Sequence, residues 1–265
     1  MNILSLGAGY DTLPFWLLEK LQHSGGEELS RRVCYIEVDW DQVVAKKISV
    51  MVQHQEIVKL IAVPKDIDQA DVLSPHHINA ENYKLVAHDV RDTQGLAKVL
   101  SDVYKVDTKR PTLVLTECLL VYLKPDDSNN VLSFVRDYFA AAPYLALMNY
   151  EMITPHDAFG ETMLSNLSER GCDLLGIEAC PDLESQILRL QNFLGADCYA
   201  QATKMTDVYS KCLNAAERNR IERLEMFDEF EEWLLLQSHY CITFGSRGLG
   251  NSSKVNGGEE TVTIL

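Results

Sequence analysis

The stretch NILSLGAGYDTLPFW, at the very start of the chain, constrains the fold more than any other part of the sequence. A short apolar run leads into Gly7 and Gly9, and a helix is predicted from Asp11 to Leu21. Glycine lets a ligand approach the backbone closely, because it has no Cβ and accepts positive φ. A strand, a glycine turn and a helix in this order predict the first unit of a doubly wound α/β domain.

Two classes of cofactor use such a turn, dinucleotides and S-adenosylmethionine. The dinucleotide fingerprint requires a third small residue three places after the second glycine, where the helix N-terminus meets a pyrophosphate. Here Thr12 occupies that place and Asp11 precedes it. An acid there would repel a pyrophosphate, whereas S-adenosylmethionine has no phosphate and carries a sulfonium cation. The turn therefore favours a methyl donor and leaves NAD as the alternative.

Composition narrows the function further. With 265 residues, 46% of them hydrophobic, the chain can form one large domain with a buried core. Its net charge of -15 disfavours binding to nucleic-acid phosphates. No apolar run is long enough for a membrane span, and the acidic N-terminal residues do not suit a signal peptide, so we expect a cytoplasmic protein. We also expect it to be a monomer. The cysteines form no C-x-x-C pair, and the adjacent His76 and His77 lack nearby partners, so no metal site is predicted.

Strand and helix signals alternate through residues 1–150, with a polar loop predicted at 62–83. This alternation predicts a mainly parallel sheet covered by helices on both faces. We interpret residues 1–150 as a nucleotide-binding half, 151–247 as a helical and substrate-cleft part of the same domain, and 248–265 as a flexible tail. Two late strands, in ADCYAQATK and HYCITFG, are expected to form an antiparallel pair at one sheet edge.

The second half has less regular helix signals. Thr154 is predicted to cap a helix that has Pro155 in its first position and closes at Gly171. Further helices are expected near 183–194 and 207–213. A long helix is predicted over 215–236. Its apolar residues recur at helical spacing, and we expect them to face the core. They are Ile221, Leu224, Phe227, Phe230 and Leu234.

Acidic groups follow four of the predicted strands, at the sheet edge where open α/β domains bind their ligands. Asp39 is placed to accept hydrogen bonds from ribose hydroxyls. Asp89 and the backbone of Val90 are placed at the adenine edge, and Glu117 near the amino-acid part of a donor. An acid in the position of Asp39 also occurs in NAD sites. Glu151 ends the fifth strand, and we place it at the border of the cleft with no assigned role.

Several motifs, in order along nearly the whole chain, resemble one known family, the leucine carboxyl methyltransferases. The resemblance is carried by LGAGYDT, YIEVDW, HDVRD, TECLLVYLKP, NYE, RGCDLLGIEAC, LESQ, RIERLEMFDE and HYCITF. It implies a class I S-adenosylmethionine-dependent methyltransferase fold, which is Rossmann-like, with a seven-stranded mainly parallel sheet, an antiparallel edge strand and an inserted helical region. It also implies a donor site at Gly7, Asp39, Asp89, Val90 and Glu117.

The resemblance further implies an activity and a partner: methyl esterification of the C-terminal leucine of the protein phosphatase 2A catalytic subunit, which regulates assembly of the phosphatase holoenzyme. A peptide α-carboxylate is ionised at pH 7, so it is itself the nucleophile and no general base is needed. Arg91, Tyr122 and Lys124 are our candidates to hold that carboxylate, although Arg91 and Lys124 suit surface ion pairs equally well.

One departure from the family bears on activity. The family has a helical segment before the glycine turn, with a lysine and an arginine that contact the donor, and no residues here match them. We therefore expect a shortened form with weakened donor binding and poor turnover. A family member that binds donor or phosphatase without methyl transfer is the alternative function. The related tRNA-modifying carboxyl methyltransferases, which carry a propeller domain, are a further alternative that the acidic charge disfavours.

Overall fold

A nine-stranded sheet forms the frame of the protein in the computed structural model, which describes residues 1–63 and 72–248. The strands, in chain order, are β1 Asn2–Leu6, β2 Cys34–Asp39, β3 Leu73–Ser74, β4 His77–Asn79, β5 Tyr83–Ala87, β6 Thr112–Glu117, β7 Leu145–Met152, β8 Tyr199–Lys204 and β9 Tyr240–Arg247. Their order across the sheet is β3-β4-β5-β2-β1-β6-β7-β9-β8. The predicted tail, 248–265, lies outside the described residues except for its first position.

Helices connect most of these strands. The α-helices are α1 Leu13–Ser30, α2 Asp41–Met51, α3 Gln55–Val58, α4 Thr93–Lys98, α5 Pro125–Tyr138, α6 Ala158–Glu169, α7 Leu183–Leu194, α8 Met205–Asp207, α9 Ala215–Glu222 and α10 Phe230–Gln237. Two π-helical segments, Val99–Val103 and Val208–Cys212, continue α4 and α8. Short 3₁₀ helices occupy Leu120–Tyr122 and Ile177–Ala179. Within the described ranges, no helix combines the length and apolar character needed to cross a membrane.

Five neighbouring strands, β5, β2, β1, β6 and β7, run parallel, and β9 enters antiparallel between β7 and β8. This arrangement confirms the predicted α/β fold and the antiparallel pair at one edge. The edge strand is β8, and β9 is the next strand inward, between β7 and β8. The opposite edge carries the short strands β3 and β4, which pair antiparallel within a stretch predicted as loop. Backbone pairing with the exposed edge of β5 stabilises strands that the polar side chains alone do not indicate.

Both faces of the sheet are covered, as the unbroken apolar strands predict. All five residues of β1 are buried. One face packs against α4, α5 and α7, through residues such as Leu100, Val131 and Leu190. The other face packs against α1 and α2, through Leu18 and Ile48. The two layers hold the carboxyl ends of the parallel strands at one edge, where the acidic residues cluster.

The predicted helix cap at Thr154 is wrong. Thr154 adopts a φ of 59°, and the helix begins only at Ala158. The capping residue is Asp157, whose Oδ1 accepts a hydrogen bond from the Gly160 amide at 2.8 Å. Aspartate and threonine are both good caps, so the residue types alone did not decide between the two starts.

The predicted long helix over 215–236 is also wrong, because α9 and α10 are separate helices with a turn and loop between them. The supposed core-facing stripe is largely exposed: Leu224 is 67% exposed and Phe227 is 50% exposed. The aromatic rings there pack mainly on one another, with Phe230 stacked on Trp233 at 5.5 Å between ring centroids. Helical spacing predicts an apolar face, but burial needs a surface to pack against, and the described part of the fold leaves much of this face exposed.

Candidate functional site

The turn after β1 has the conformation that its glycines predict. Gly7 and Gly9 have φ angles of 66° and 54°, a region that L-residues with side chains rarely adopt. A Cβ on Gly7 would lie 2.9 Å from Cδ1 of Leu119, in the loop after β6. A Cβ on Gly9 would meet nothing within 4 Å. Gly7 is therefore needed for close packing inside the protein, whereas Gly9 leaves open space beside the backbone.

Asp39, at the end of β2, is bound directly to this turn. Its Oδ2 accepts a hydrogen bond from the Gly9 amide at 2.7 Å, and its Oδ1 accepts one from the Trp40 amide at 2.7 Å. Each carboxylate oxygen has a further lone pair, so Asp39 can still accept bonds from a ligand. The structure thus joins two sequence-predicted site residues, Gly9 and Asp39, by a direct contact.

Asp89 and Val90 follow β5 at the same edge of the sheet. Arg91 donates hydrogen bonds to both carboxylate oxygens of Asp89, from Nε at 3.0 and 3.1 Å and from its terminal nitrogen at 2.8 Å. This bidentate pair holds the pKa of Asp89 below its usual value, with the Arg91 hydrogen bonds as the main cause. The Arg91 guanidinium also lies 5.5 Å from the centroid of the exposed Trp40 ring. Val90 is buried.

A cavity of about 310 Å³ opens beside the glycine turn. It is lined by Ser5, Gly7, Ala8, Tyr10, Asp11, Glu117 and Cys118. Its lining carries two acids, Asp11 and Glu117, and no basic side chain comes from the described part of the chain. Such a cavity suits a cationic ligand and disfavours a phosphate. The cavity brings the glycine turn and Glu117 together, as we expect for residues that follow neighbouring parallel strands.

The loop that follows Glu117 is held from below by Glu151. Oε1 of Glu151 accepts hydrogen bonds from the amides of Leu120 at 2.9 Å and Val121 at 3.3 Å, while Oε2 is buried and has no hydrogen-bond partner among the described residues. Burial raises the pKa of Glu151 to about 7. We had placed Glu151 at the border of the cleft, but it is fully buried. It shapes the loop and does not line the cavity, because its backbone partners draw it inward.

The three candidates for holding the substrate carboxylate lie in separate places. Arg91 is engaged by Asp89, Tyr122 is half-buried in the 3₁₀ helix, and Lys124 is exposed before α5. Burial is the main cause of a raised pKa for the Tyr122 hydroxyl. None of the three lines the cavity described above, and their roles stay predictions.

Four residues around this site were not singled out from the sequence. Ser5, Tyr10 and Cys118 line the cavity, and Lys47 lies beneath the turn. Ser5 is the one polar residue in the apolar run ILSL, and Lys47 falls three residues after the apolar Val44 at a helical spacing that faces the core. A polar residue at a position predicted to be buried is the signal that identifies such cases.

The strand order and the glycine turn define the class of this protein, a Rossmann-like α/β domain, and its acid-lined cavity suits a cationic ligand such as a methyl donor. Comparison with known proteins identifies the family within that class. Residues 2–136 match the family model described as leucine carboxyl methyltransferase. The chain belongs to the leucine carboxyl methyltransferase family.

Two relatives and one solved structure are similar to this chain. A leucine carboxyl methyltransferase 1 homolog from Arabidopsis thaliana is 39% identical over 92% of this chain and 68% of the relative. A tRNA wybutosine-synthesizing protein 4 from Rattus norvegicus is 35% identical over 93% of this chain, but over only 34% of the relative. The crystal structure of a DUF574 family protein from Streptomyces avermitilis has a TM-score of 0.50 at 15% identity, covering 92% of this chain and 74% of that one, which shows a shared fold alone.

Proposed function

We propose that this protein transfers a methyl group from S-adenosylmethionine to the α-carboxylate of the C-terminal leucine of the protein phosphatase 2A catalytic subunit. The observation that supports this most is the acid-lined cavity beside the glycine turn, in a chain of the leucine carboxyl methyltransferase family. The phosphatase as acceptor rests on the family resemblance.

The residues present fit this donor better than a dinucleotide. The cavity lining offers Asp11 and Glu117, which suit an ammonium or sulfonium group, and it has no cation for a pyrophosphate among the described residues. Asp39 keeps acceptor capacity for ribose hydroxyls at the end of β2. Asp89 and the Val90 backbone would recognise the adenine edge. Gly7 and Gly9 would let the ligand approach the turn.

The bound donor supplies an electrophilic methyl group on a sulfonium. The residues of this chain have to place an acceptor oxygen in line with that methyl group and to exclude water. The substrate carboxylate is ionised at pH 7, so the reaction needs no protein base. Tyr122 is the nearest of our three candidates in sequence to the cavity residues Glu117 and Cys118, and a hydroxyl at that loop suits hydrogen bonding to a carboxylate.

The test is a transfer assay with S-adenosylmethionine labelled on its methyl group. The acceptors are the phosphatase catalytic subunit and a peptide of its C-terminal tail ending in leucine. The matched control is the same peptide with a C-terminal amide, which lacks only the acceptor carboxylate. We expect label in an alkali-labile ester on the free-acid peptide and on the subunit, and none on the amide.

Calorimetric titration with S-adenosylmethionine and with NAD separates the alternatives. Donor binding without methyl transfer would support the alternative function, a non-catalytic family member that binds the donor or the phosphatase. NAD binding without donor binding would refute the proposal. Transfer of label to tRNA and not to the peptide tail would show that the proposed acceptor is wrong. The methyl-transfer part of the proposal would still hold.

A further inference from the structure

A charged pair lies in the core directly beneath the glycine turn. Lys47 of α2 and Glu37 of β2 have side chains that are 5% and 0% exposed, with Lys47 Nζ 2.7 and 2.9 Å from the two Glu37 oxygens. The Tyr83 hydroxyl donates a hydrogen bond to Oε2 of the same carboxylate. Burying two charges costs several kcal/mol each before their attraction offsets it, so a well-packed apolar pair is often as stable. Stability alone is therefore a weak reason for this arrangement.

Lys47 makes one contact that an apolar side chain cannot make. Its Nζ donates a hydrogen bond to the backbone carbonyl of Asp11 at 2.8 Å. An ammonium has three donor hydrogens, so the two Glu37 oxygens and this carbonyl satisfy it completely. Asp11 closes the turn and lines the cavity. Lys47 thus reaches the turn from below without lining the cavity itself.

The same turn is held from the side by Asp39, which accepts the Gly9 amide hydrogen bond at 2.7 Å. Glu37 and Asp39 belong to β2, and Lys47 belongs to the helix that follows. Besides the backbone hydrogen bonds that the Gly7 and Ala8 amides donate to the Val38 carbonyl at 2.9 and 3.4 Å, two side chains of the β2–α2 unit therefore hold the turn, at one amide and one carbonyl. Two such points restrict a backbone whose glycines otherwise have wide conformational freedom.

We propose that Lys47, oriented by Glu37 and Tyr83, is a positioning residue that fixes the turn of residues 7–11 in its ligand-binding conformation. This inference rests on the proposed function, since the turn is the donor site there. Lys47 acts through the Asp11 backbone and has no contact with the reacting atoms.

The informative variant is the double substitution Lys47→Met with Glu37→Gln. It removes both charges together, so no unpaired charge remains in the core, and it removes the hydrogen bond to Asp11. The matched control is Lys46→Met, because Lys46 is the exposed neighbour on the same helix and makes the same lysine-to-methionine change away from the turn. If the double variant does not fold, Lys47→Gln with Glu37→Gln replaces it, since the shorter amide cannot reach Asp11.

Two readouts separate positioning from a merely structural role. We expect amide hydrogen exchange in residues 7–12 to be at least tenfold faster in the folded double variant, with exchange in the central strands β1 and β6 unchanged. We also expect the dissociation constant and the KM for S-adenosylmethionine to rise about tenfold, while the KM for the peptide tail and kcat stay near those of Lys46→Met.

Unchanged exchange in the turn of a folded double variant would overturn the inference. So would equal donor affinity in the double variant and Lys46→Met. The exchange readout needs no ligand. If the unsubstituted protein binds no S-adenosylmethionine, the proposed function fails, whereas the exchange result still decides whether Lys47 positions the turn.

Discussion

At the scale of single residues, the proposed donor site depends on hydrogen bonds between the turn and the end of β2. Asp39 uses both carboxylate oxygens on backbone amides, those of Gly9 and Trp40. A carboxylate that accepts backbone hydrogen bonds makes charge-assisted contacts, which are stronger than neutral ones. Asp39 therefore both orders the turn and offers its free lone pairs to a ligand.

Replacing Asp39 by alanine should weaken donor binding by about 10- to 100-fold, because hydrogen bonds to a charged group contribute about 1.5–3 kcal/mol. Calorimetric titration with S-adenosylmethionine measures the change. The control is Asp41→Ala, because Asp41 is an exposed acid two residues further on that contacts His76 and not the turn. Equal losses in both variants would mean that general charge, and not the Gly9 contact, governs binding.

The raised pKa of the buried Glu151 carboxyl predicts that the stability of the protein depends on pH. Its folded pKa of about 7 lies above the usual 4.5 because of burial. The folded state thus prefers the protonated acid. The contribution of Glu151 is fully present below about pH 4.5 and is lost as the pH rises through about 7, by an amount on the order of 3 kcal/mol.

Urea unfolding of the protein and of Glu151→Gln at pH 5 and pH 8 tests this expectation. The glutamine cannot ionise, so the variant should gain stability relative to the unsubstituted protein as the pH rises. Glu169→Gln, which removes an exposed acid on α6, should follow the unsubstituted protein at both values. A constant stability difference between Glu151→Gln and the unsubstituted protein would argue against the raised pKa.

At the scale of elements, regular strands were predicted well and helix ends poorly. The strand β8 lies within the predicted segment ADCYAQATK, and β9 begins inside the predicted HYCITFG and continues past it to Arg247. The helix α7 spans the predicted 183–194. The helix prediction for 215–236 is wrong because its apolar spacing fits one helix, whereas the middle of this stretch is exposed in the part of the chain that the structure describes.

The exposed position of Leu224 gives a direct test of that correction. Leu224→Ala should lower the free energy of unfolding by less than about 0.5 kcal/mol, as is usual for surface sites. Leu190→Ala is the matched substitution in α7, where the residue is 1% exposed, and it should cost about 2–5 kcal/mol. Urea unfolding of both variants measures the difference. Similar losses of unfolding free energy in the two variants would mean that Leu224 faces the core, as we predicted from the helical spacing.

At the scale of the whole molecule, charge and topology bear on the choice of acceptor. The net charge of -15 gives the chain an unfavourable field for nucleic acids. Relatives similar to this chain include a leucine carboxyl methyltransferase 1 homolog and a protein named for tRNA wybutosine synthesis. The net charge therefore supports the protein tail, which we propose as the acceptor, over a tRNA.

Fluorescence anisotropy with labelled tRNA tests this preference. At about 0.1 M salt we expect no binding in the micromolar range, because few phosphate contacts are available to release counterions. The leucine-terminated tail peptide, labelled in the same way, serves as the comparison in the presence of S-adenosylmethionine. Binding of tRNA that weakens steeply with added salt would contradict the expectation.

What the sequence determined by itself are the features that depend on local chemistry: the glycine turn, the apolar strands and the acids that follow them. These rest on residue types at short spacings, which act whatever the rest of the chain does. Only the tertiary structure decided which groups meet. It joined Asp39 to Gly9, buried Glu151 against the loop after β6 and placed Lys47 beneath the turn. Such contacts join residues from different elements, and their distances follow from packing, which no local pattern specifies.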